Sequence, residues 1–285
     1  MRTAEELAGL DALETIDVKH EPVIRRLWSA TWPKLAAIAL ALFLWQCVVW
    51  SNWKPEYLLP GPGKVFPELW EQIQNGTVWK AVRLTMERAL KGYAVALVIG
   101  VIVGSLVARV RFLRSAFGSL ITGLQTMPSI VWFPFAVILF QLSDSAITFV
   151  VVLGAAPAIA NGLIAGADQI PPILLRAGRV LGARGLRSYW HIVLPASLPS
   201  FAGGLKQGWA FAWRSLMAGE LLVTIAGKPS IGALMTNARS LRDMAGLMAW
   251  MIVILVIGVA VDSAVFGTLD RSIRHRWGLV DAATA

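Results

Sequence analysis

RAGRVLGARGLRSYWHIVLPASLP, the stretch from Arg176 to Pro199, is a basic interruption between long apolar runs. It carries Arg176, Arg179, Arg184, Arg187 and His191 and no acidic residue. Leu186, Tyr189, Trp190 and Val193 fall at i, i+3, i+4 and i+7, and Arg184, Arg187 and His191 at i, i+3 and i+7, which is the spacing of an amphipathic helix. Gly182 and Gly185 precede that helix, and Pro195 and Pro199 are expected to stop it. Such a helix has one face to bury and a basic face to present outside a membrane. The apolar runs on either side are therefore spans, and this stretch is the loop that joins two of them.

Composition points the same way. Of 285 residues, 56% are hydrophobic and 15% charged, with 13 Trp, whereas a soluble domain carries about 25% charge. Several runs approach the roughly twenty apolar residues that cross a bilayer as a helix, so the fold class is an all-α polytopic membrane protein with about six transmembrane helices. The net charge of +9 could suit nucleic acid. In a membrane chain, however, positive residues first decide topology, and no nucleic-acid partner is inferred. The single cysteine, Cys47, lies in the first apolar run, and His20, His191 and His275 are scattered, which leaves neither a disulfide framework nor a metal site.

Working outward from the loop, residues 1–32 read as a polar N-terminal tail, residues 33–270 as a transmembrane domain whose loop occupies 168–199, and residues 271–285 as a C-terminal tail. The first span, about Pro33–Trp53, has Trp28 and Trp32 at one end and Trp45, Trp50 and Trp53 towards the other, as interfacial belts do. Residues 55–76 are punctuated by Pro and Gly, and Val65, Leu69 and Ile73 suggest a short amphipathic helix lying on the membrane. In the second span, about Trp79–Ala108, Gly92, Ala96, Gly100, Gly104 and Ala108 recur every four residues, a stripe that lets another helix approach closely. The third segment, Ser115–Gln141, is broken by Pro128 and Pro134. Spans four, five and six cover about 146–167, 200–226 and 247–269. The Arg clusters at 109–114, 176–187 and 271–276 fall on one side of such a chain together with both termini, and the excess of positive charge makes that side the cytoplasm.

A P-loop needs Gly-x4-Gly-Lys-Ser/Thr to wrap phosphates, and the sequence has none; Gly-x-Ser-x-Gly and His-Glu-x-x-His are absent too. The chain is not expected to be an enzyme, and no catalytic residue is assigned. The clearest polar anomaly is WAFAWRSLMAGELLVTI in span five, where Arg214 and Glu220 stand at a depth that costs about 2.5–3.5 kcal/mol per unpaired charge. Six residues apart on a helix, they lie about 120° from one another and do not pair well. Each needs a partner on another helix, in a cavity or on a substrate, so they are either interhelical structural pairs or, for Arg214, positive potential on a path for small anions. The pathway candidates are Gln125 and Met127 at the break, Asn161 in span four, and Gln207, Trp213, Arg214 and Glu220 in span five. Asp262 in span six and Arg83, Glu87, Arg88 and Lys91 at the head of span two are weaker signals, and Arg83/Glu87 and Glu87/Lys91 are i, i+4 pairs that read as local ion pairing.

The opening stretch resembles the signature loop of binding-protein-dependent ABC importer permeases, Glu-Ala-Ala, three residues, Gly, nine residues, Ile-x-Leu-Pro. Ala177, Gly182, Ile192, Leu194 and Pro195 match it, while Arg176 replaces the Glu and Gly178 the second Ala. LLPGPGKVFPELW, RALKGYAVALVIGVIVGSLVA, MPSIVWFP and GLKQGWAFAWRSLMAGELL extend the resemblance over nearly the whole chain from about residue 33 and are similar to the nitrate/sulfonate/taurine branch; QLSDS at 141–145 departs from the Gly-containing turn common there. The resemblance implies a type I ABC importer permease fold in the bacterial plasma (inner) membrane. It also implies a second permease chain, two ATP-binding subunits holding ATP and Mg, and an extracytoplasmic solute-binding protein that delivers a small anionic solute. On this reading Arg176, Ala177, Gly178, Gly182, Ala183, Arg184, Gly185, Leu186, Arg187, Tyr189 and Trp190 couple the permease to the ATPase. A secondary transporter or channel for small anions is the alternative, although no internal repeat favours the former.

Overall fold

The structure is a computed structural model that describes residues 23–276. The N-terminal tail as far as residue 22 and the C-terminal tail beyond Arg276 lie outside the described residues. The chain divides into two units, residues 1–62 and 63–285. The first is built on α1, Val23–Trp50. Its apolar side chains, Leu35, Ile38, Phe43 and Leu44 among them, stand exposed, as a membrane-crossing helix requires when lipid is its solvent. The Trp45 indole donates to Pro60 O at 3.2 Å and folds the following turn back on this helix.

The second unit begins with α2, Pro62–Gln74, and α3, Thr77–Arg109. Then come α4, Arg111–Thr126, a 3₁₀ turn at Ser129–Trp132, α5, Phe133–Phe140, and α6, Asp144–Asp168. After α7, Pro172–Val180, and α8, Leu186–Ser188, a π-turn at Tyr189–Val193 runs into α9, Leu194–Leu222. Finally α10 is Ile231–Ser240, α11 Met244–Val261 and α12 Gly267–Arg276, the last two joined by a π-turn. No strand occurs among the described residues.

Among the described residues four helices are long and apolar enough to cross a membrane, and the α4/α5 pair, bent by 98° at its break, makes a fifth if it is counted as one span. The 29-residue α9 has the length of a sixth, but Lys206, Arg214 and Glu220 keep its composition polar. The bend follows from Pro128, which supplies no N–H to the end of α4 and disfavours helical angles at Met127 before it.

Two sequence expectations need correction. Pro195 and Pro199 do not stop the amphipathic helix, which continues as α9. The π-turn, closed by Leu194 N donating to Tyr189 O, widens the helix just ahead of Pro195 and relieves the clash its ring would make four residues back. The stripe on α2 does not lie on the membrane either. Val65 is fully buried, and Leu69 and Ile73 pack against Val78, Ala81, Ile231 and Trp250, while Phe66 and Trp70 on another face are exposed.

The most buried helix is α6, and small residues explain its place between α3 and α9. On α3, a Cβ added to Gly100 would stand 2.8 Å from Ala156 O, and one added to Gly104 would stand 2.9 Å from Ala160 Cα. On the other side Gly154, Ala158, Gly162 and Gly166 form a second stripe, and a Cβ on Gly162 would come within 2.5 Å of Gly204 Cα in α9. Two long helices thus approach α6 backbone to backbone, where dispersion contacts supply the association that the hydrophobic effect cannot supply in lipid. Tyr93 Oη donates to Leu205 O at 2.9 Å and ties α3 to α9, and its ring meets Trp209 edge-on. Trp209 stacks on Trp213 at 6.3 Å, which fixes one face of α9 in the core. The face bearing Gly203, Gln207 and Arg214 stays exposed.

Candidate functional site

The loop between α6 and α9 is a pair of short helical segments with a defined turn. Ala183 N donates to Gly178 O at 2.8 Å and Gly182 N to Arg179 O at 3.2 Å, so α7 ends in the six-to-one and five-to-two pattern of a Schellman motif. That motif needs a left-handed residue after the helix, and Gly182 supplies it with φ +82°. Among the described residues nothing lies within 4 Å of a Cβ placed there, so backbone angle rather than space selects glycine. Gly178 is different. It is buried, and a Cβ on it would meet Ile192 Cδ1, so the replacement of the usual Ala lets α7 seat directly on the π-turn.

The rest of the loop faces outward. Arg176, Ala177, Arg179, Arg184, Gly185 and Arg187 are exposed, Ala183 and Tyr189 are half-buried, and the Leu186 side chain lies outside the described set. Beside the arginines, Val180 and Leu181 are each 86% exposed and Trp190 is 58% exposed. Large apolar groups ringed by charge at the end of a bundle form a surface to be covered.

A second feature lies at the break between α4 and α5. Leu124, Gln125, Met127, Ser129, Phe211 and Arg214 line a cleft of about 420 Å³, which brings three of the pathway candidates together. Asn161 joins them through its Nδ2, 3.4 Å from Gln125 Oε1. Arg214 Nε donates to Ala210 O at 3.1 Å, and its guanidinium lies 5.0 Å from the Phe211 ring centre. Ser215 Oγ donates to Ser129 Oγ at 2.7 Å, in room left by Gly154. Gln207 shares the exposed face of Arg214 but does not line the cleft, and Trp213 is buried in the core. A larger, mostly apolar groove of about 640 Å³ between α3 and the start of α9 is walled by Val101, Leu106, Trp190 and Phe201, with Arg109 also lining it.

Glu220 lies elsewhere. It is fully buried near the end of the bundle opposite the α7–α8 loop. Arg88 Nη1 donates to it at 2.9 Å, Thr85 Oγ1 at 3.0 Å and Gly232 N at 3.1 Å. Arg88 Nε also donates to Asp144 Oδ1 at 2.8 Å, and Lys228 pairs with the other Asp144 oxygen. This knot joins α3, α6, α9 and α10. Arg88 belongs to it rather than to the local pairs of α3, of which Arg83–Glu87 does form at 3.0 Å. The signal for Arg88 was in the sequence, since it extends the four-residue series Gly92, Ala96, Gly100, Gly104 one step towards the N-terminus. Asp262 pairs with Lys206 at 3.1 Å, both half-exposed.

A family model described as "Binding-protein-dependent transport system inner membrane component" matches residues 96–275. The chain belongs to this family. Its match spans α3 to α12 and includes the loop and the cleft. The chain is 29% identical to a putative ABC transporter permease protein of Methanocaldococcus jannaschii over 80% of this chain and 86% of that one. It is 25% identical to the nitrate import permease protein of Synechocystis sp. over 79% and 83% of the two chains, and 22% identical to the taurine transport system permease protein of Escherichia coli over 80% and 84%. A solved inward-facing methionine ABC transporter matches with a TM-score of 0.54 at 18% identity, covering 69% of this chain and 94% of that one, which shows the shared fold. This is an ABC permease subunit of the inner membrane, multi-pass and without an ATP site of its own. The family match sets aside the secondary-transporter and channel readings.

Proposed function

We propose that this permease pairs with a second copy and takes its motion from two ATP-binding subunits, which hold ATP and Mg. In this reading it passes a small oxyanion handed over by an extracytoplasmic solute-binding protein. Nitrate and taurine, the solutes named for two relatives, share an oxyanion group. The α7–α8 loop is the seat of the ATPase in this reading, and the observation that carries it is the exposure of Val180, Leu181 and Trp190 among arginines at the loop. Both termini and the Arg clusters lie in the cytoplasm by the positive-inside rule.

The coupling has a mechanical route. From Leu186 the helical backbone continues through the π-turn into α9, so a push on α8 is delivered to the helix that carries Gln207 and Arg214. The same push reaches α6 through the close approaches of Gly162 to Gly204 and Gly166 to Ser197. Residues of the cleft therefore move with the loop, and closing the ATPases would reshape the face that a solute passes.

Leu181→Asp tests the seat, because Leu181 is exposed and its replacement leaves the bundle intact. The variant should insert normally but copurify poorly with its ATPase, or show hydrolysis without uptake in proteoliposomes containing the binding protein. Wild-type copurification and uptake would remove the loop from the coupling path.

A further inference from the structure

We infer that the cleft at the α4–α5 break is an oxyanion-binding site within the permease itself, with Gln125, Ser129 and Arg214 as its hydrogen-bond donors. This rests on the import reading and adds to it a place where the permease, and not the binding protein alone, recognises the solute.

The donors are identifiable one by one. Gln125 Nε2 is buried and has no partner, although its Oε1 is engaged by Asn161 Nδ2. A buried amide donor with nothing to donate to is costly, and a rotation of the Gln125 side chain, which lines the cleft, would bring it to a ligand oxygen there. Ser129 Oγ and Ser215 Oγ stand 2.7 Å apart, and with Ser215 as the donor the Ser129 O–H turns to the cleft that Ser129 lines. Arg214 spends Nε on Ala210 O, and its Nη groups have no acceptor among the described residues.

The lining also says what is excluded. It contains no carboxylate, and the one amide oxygen, Gln125 Oε1, is already occupied, so a cation finds neither a counter-charge nor a free acceptor of that kind. Sulfonate, nitrate and carboxylate groups offer several coplanar or clustered acceptor oxygens to such donors, and Arg in particular suits them. Leu124, Met127, Ile130 and Phe211 supply apolar wall beside the donors, which distinguishes an organic oxyanion from an inorganic one by the use it makes of that wall. Asn161 acts as a positioning residue. Its Nδ2 holds the Gln125 oxygen at 3.4 Å and so restrains the amide that carries the unpartnered nitrogen.

The test uses the permease–ATPase complex in lipid nanodiscs without binding protein, titrated calorimetrically with nitrate, ethanesulfonate and taurine, with choline as a cation control. The wild type should bind at least one oxyanion saturably and choline not at all. Gln125→Leu and Arg214→Gln should each weaken that binding about tenfold or more, as loss of a hydrogen bond to a charged group implies, while Arg214→Lys keeps most of it. Tighter binding of ethanesulfonate than nitrate assigns the apolar wall to an organic solute, and the reverse assigns the site to an inorganic one. If Gln125→Leu fails to coelute with the ATPase, Arg214→Gln carries the comparison, since that side chain is exposed outside the core. No binding by a wild-type complex that still takes up an oxyanion with its binding protein overturns the site and leaves the import reading intact. Unchanged binding in both variants overturns it as well. Absence of uptake for every oxyanion removes the import reading beneath it.

Discussion

Replacing Glu220 by Met removes the carboxylate at the centre of the knot that joins α3, α6, α9 and α10. Three donors lose their acceptor at once: Arg88 Nη1, the Thr85 hydroxyl and Gly232 N–H. Glu220 is fully buried and Arg88 is 7% exposed, so water does not readily replace the lost partner. Breaking a buried pair by deleting one member costs about 3–5 kcal/mol. Asp144 remains hydrogen-bonded to Arg88 Nε at 2.8 Å, which holds the expected loss near the lower end, about 3 kcal/mol. The informative comparison is the cycle with Arg88→Met. Arg88→Met alone leaves the Glu220 carboxylate buried and unpaired, and the double variant leaves neither charge, so the double should lose less than the sum of the singles by at least about 2 kcal/mol. Unfolding of the purified chain by SDS titration in mixed micelles measures all three variants on one scale. Additivity of the two single losses would refute the view that these side chains stabilise the bundle as a pair. A loss below about 1 kcal/mol for Glu220→Met would refute their burial as an energetic unit.

Gly182→Ala forces a Cβ into a left-handed conformation at φ +82° and should destabilise the loop by about 1 kcal/mol without displacing any neighbour, visible as faster proteolysis between α7 and α8. Gly162→Ala puts a methyl 2.5 Å from Gly204 Cα and should destabilise the α6–α9 contact by about 1–3 kcal/mol in the same SDS titration, whereas Gly203→Ala, with open space around it, should not. Gln141 holds φ +57° at the turn before α6, so Gln141→Gly should stabilise the chain by about 1 kcal/mol, read as a higher thermal midpoint. In a Cys47→Ala background, an impermeant thiol reagent added outside should label Tyr57→Cys and miss Phe112→Cys and Arg187→Cys; labelling at position 187 would invert the topology.

The membrane class and the span order were legible in the residues alone, because a bilayer demands long apolar helices wherever the chain crosses it and each such run is local in sequence. The sequence also placed the loop and its glycine, since a left-handed turn after a helix leaves its mark on one residue, Gly182. The small-residue stripe on α3 was legible for the same reason, as a period along one helix. Which side chains meet was set by the assembled fold. That Glu220 finds Arg88 across 132 positions while Arg214 finds the α4–α5 break depends on helix rotation and crossing, to which span composition is indifferent. The course of the chain through Pro195 was likewise hidden, because a π-turn just before it removes the conflict that makes proline a stop signal. The orphaned Gln125 amide exists only once Asn161 has been brought to it from another helix, since a donor's lack of a partner is a property of the assembled fold.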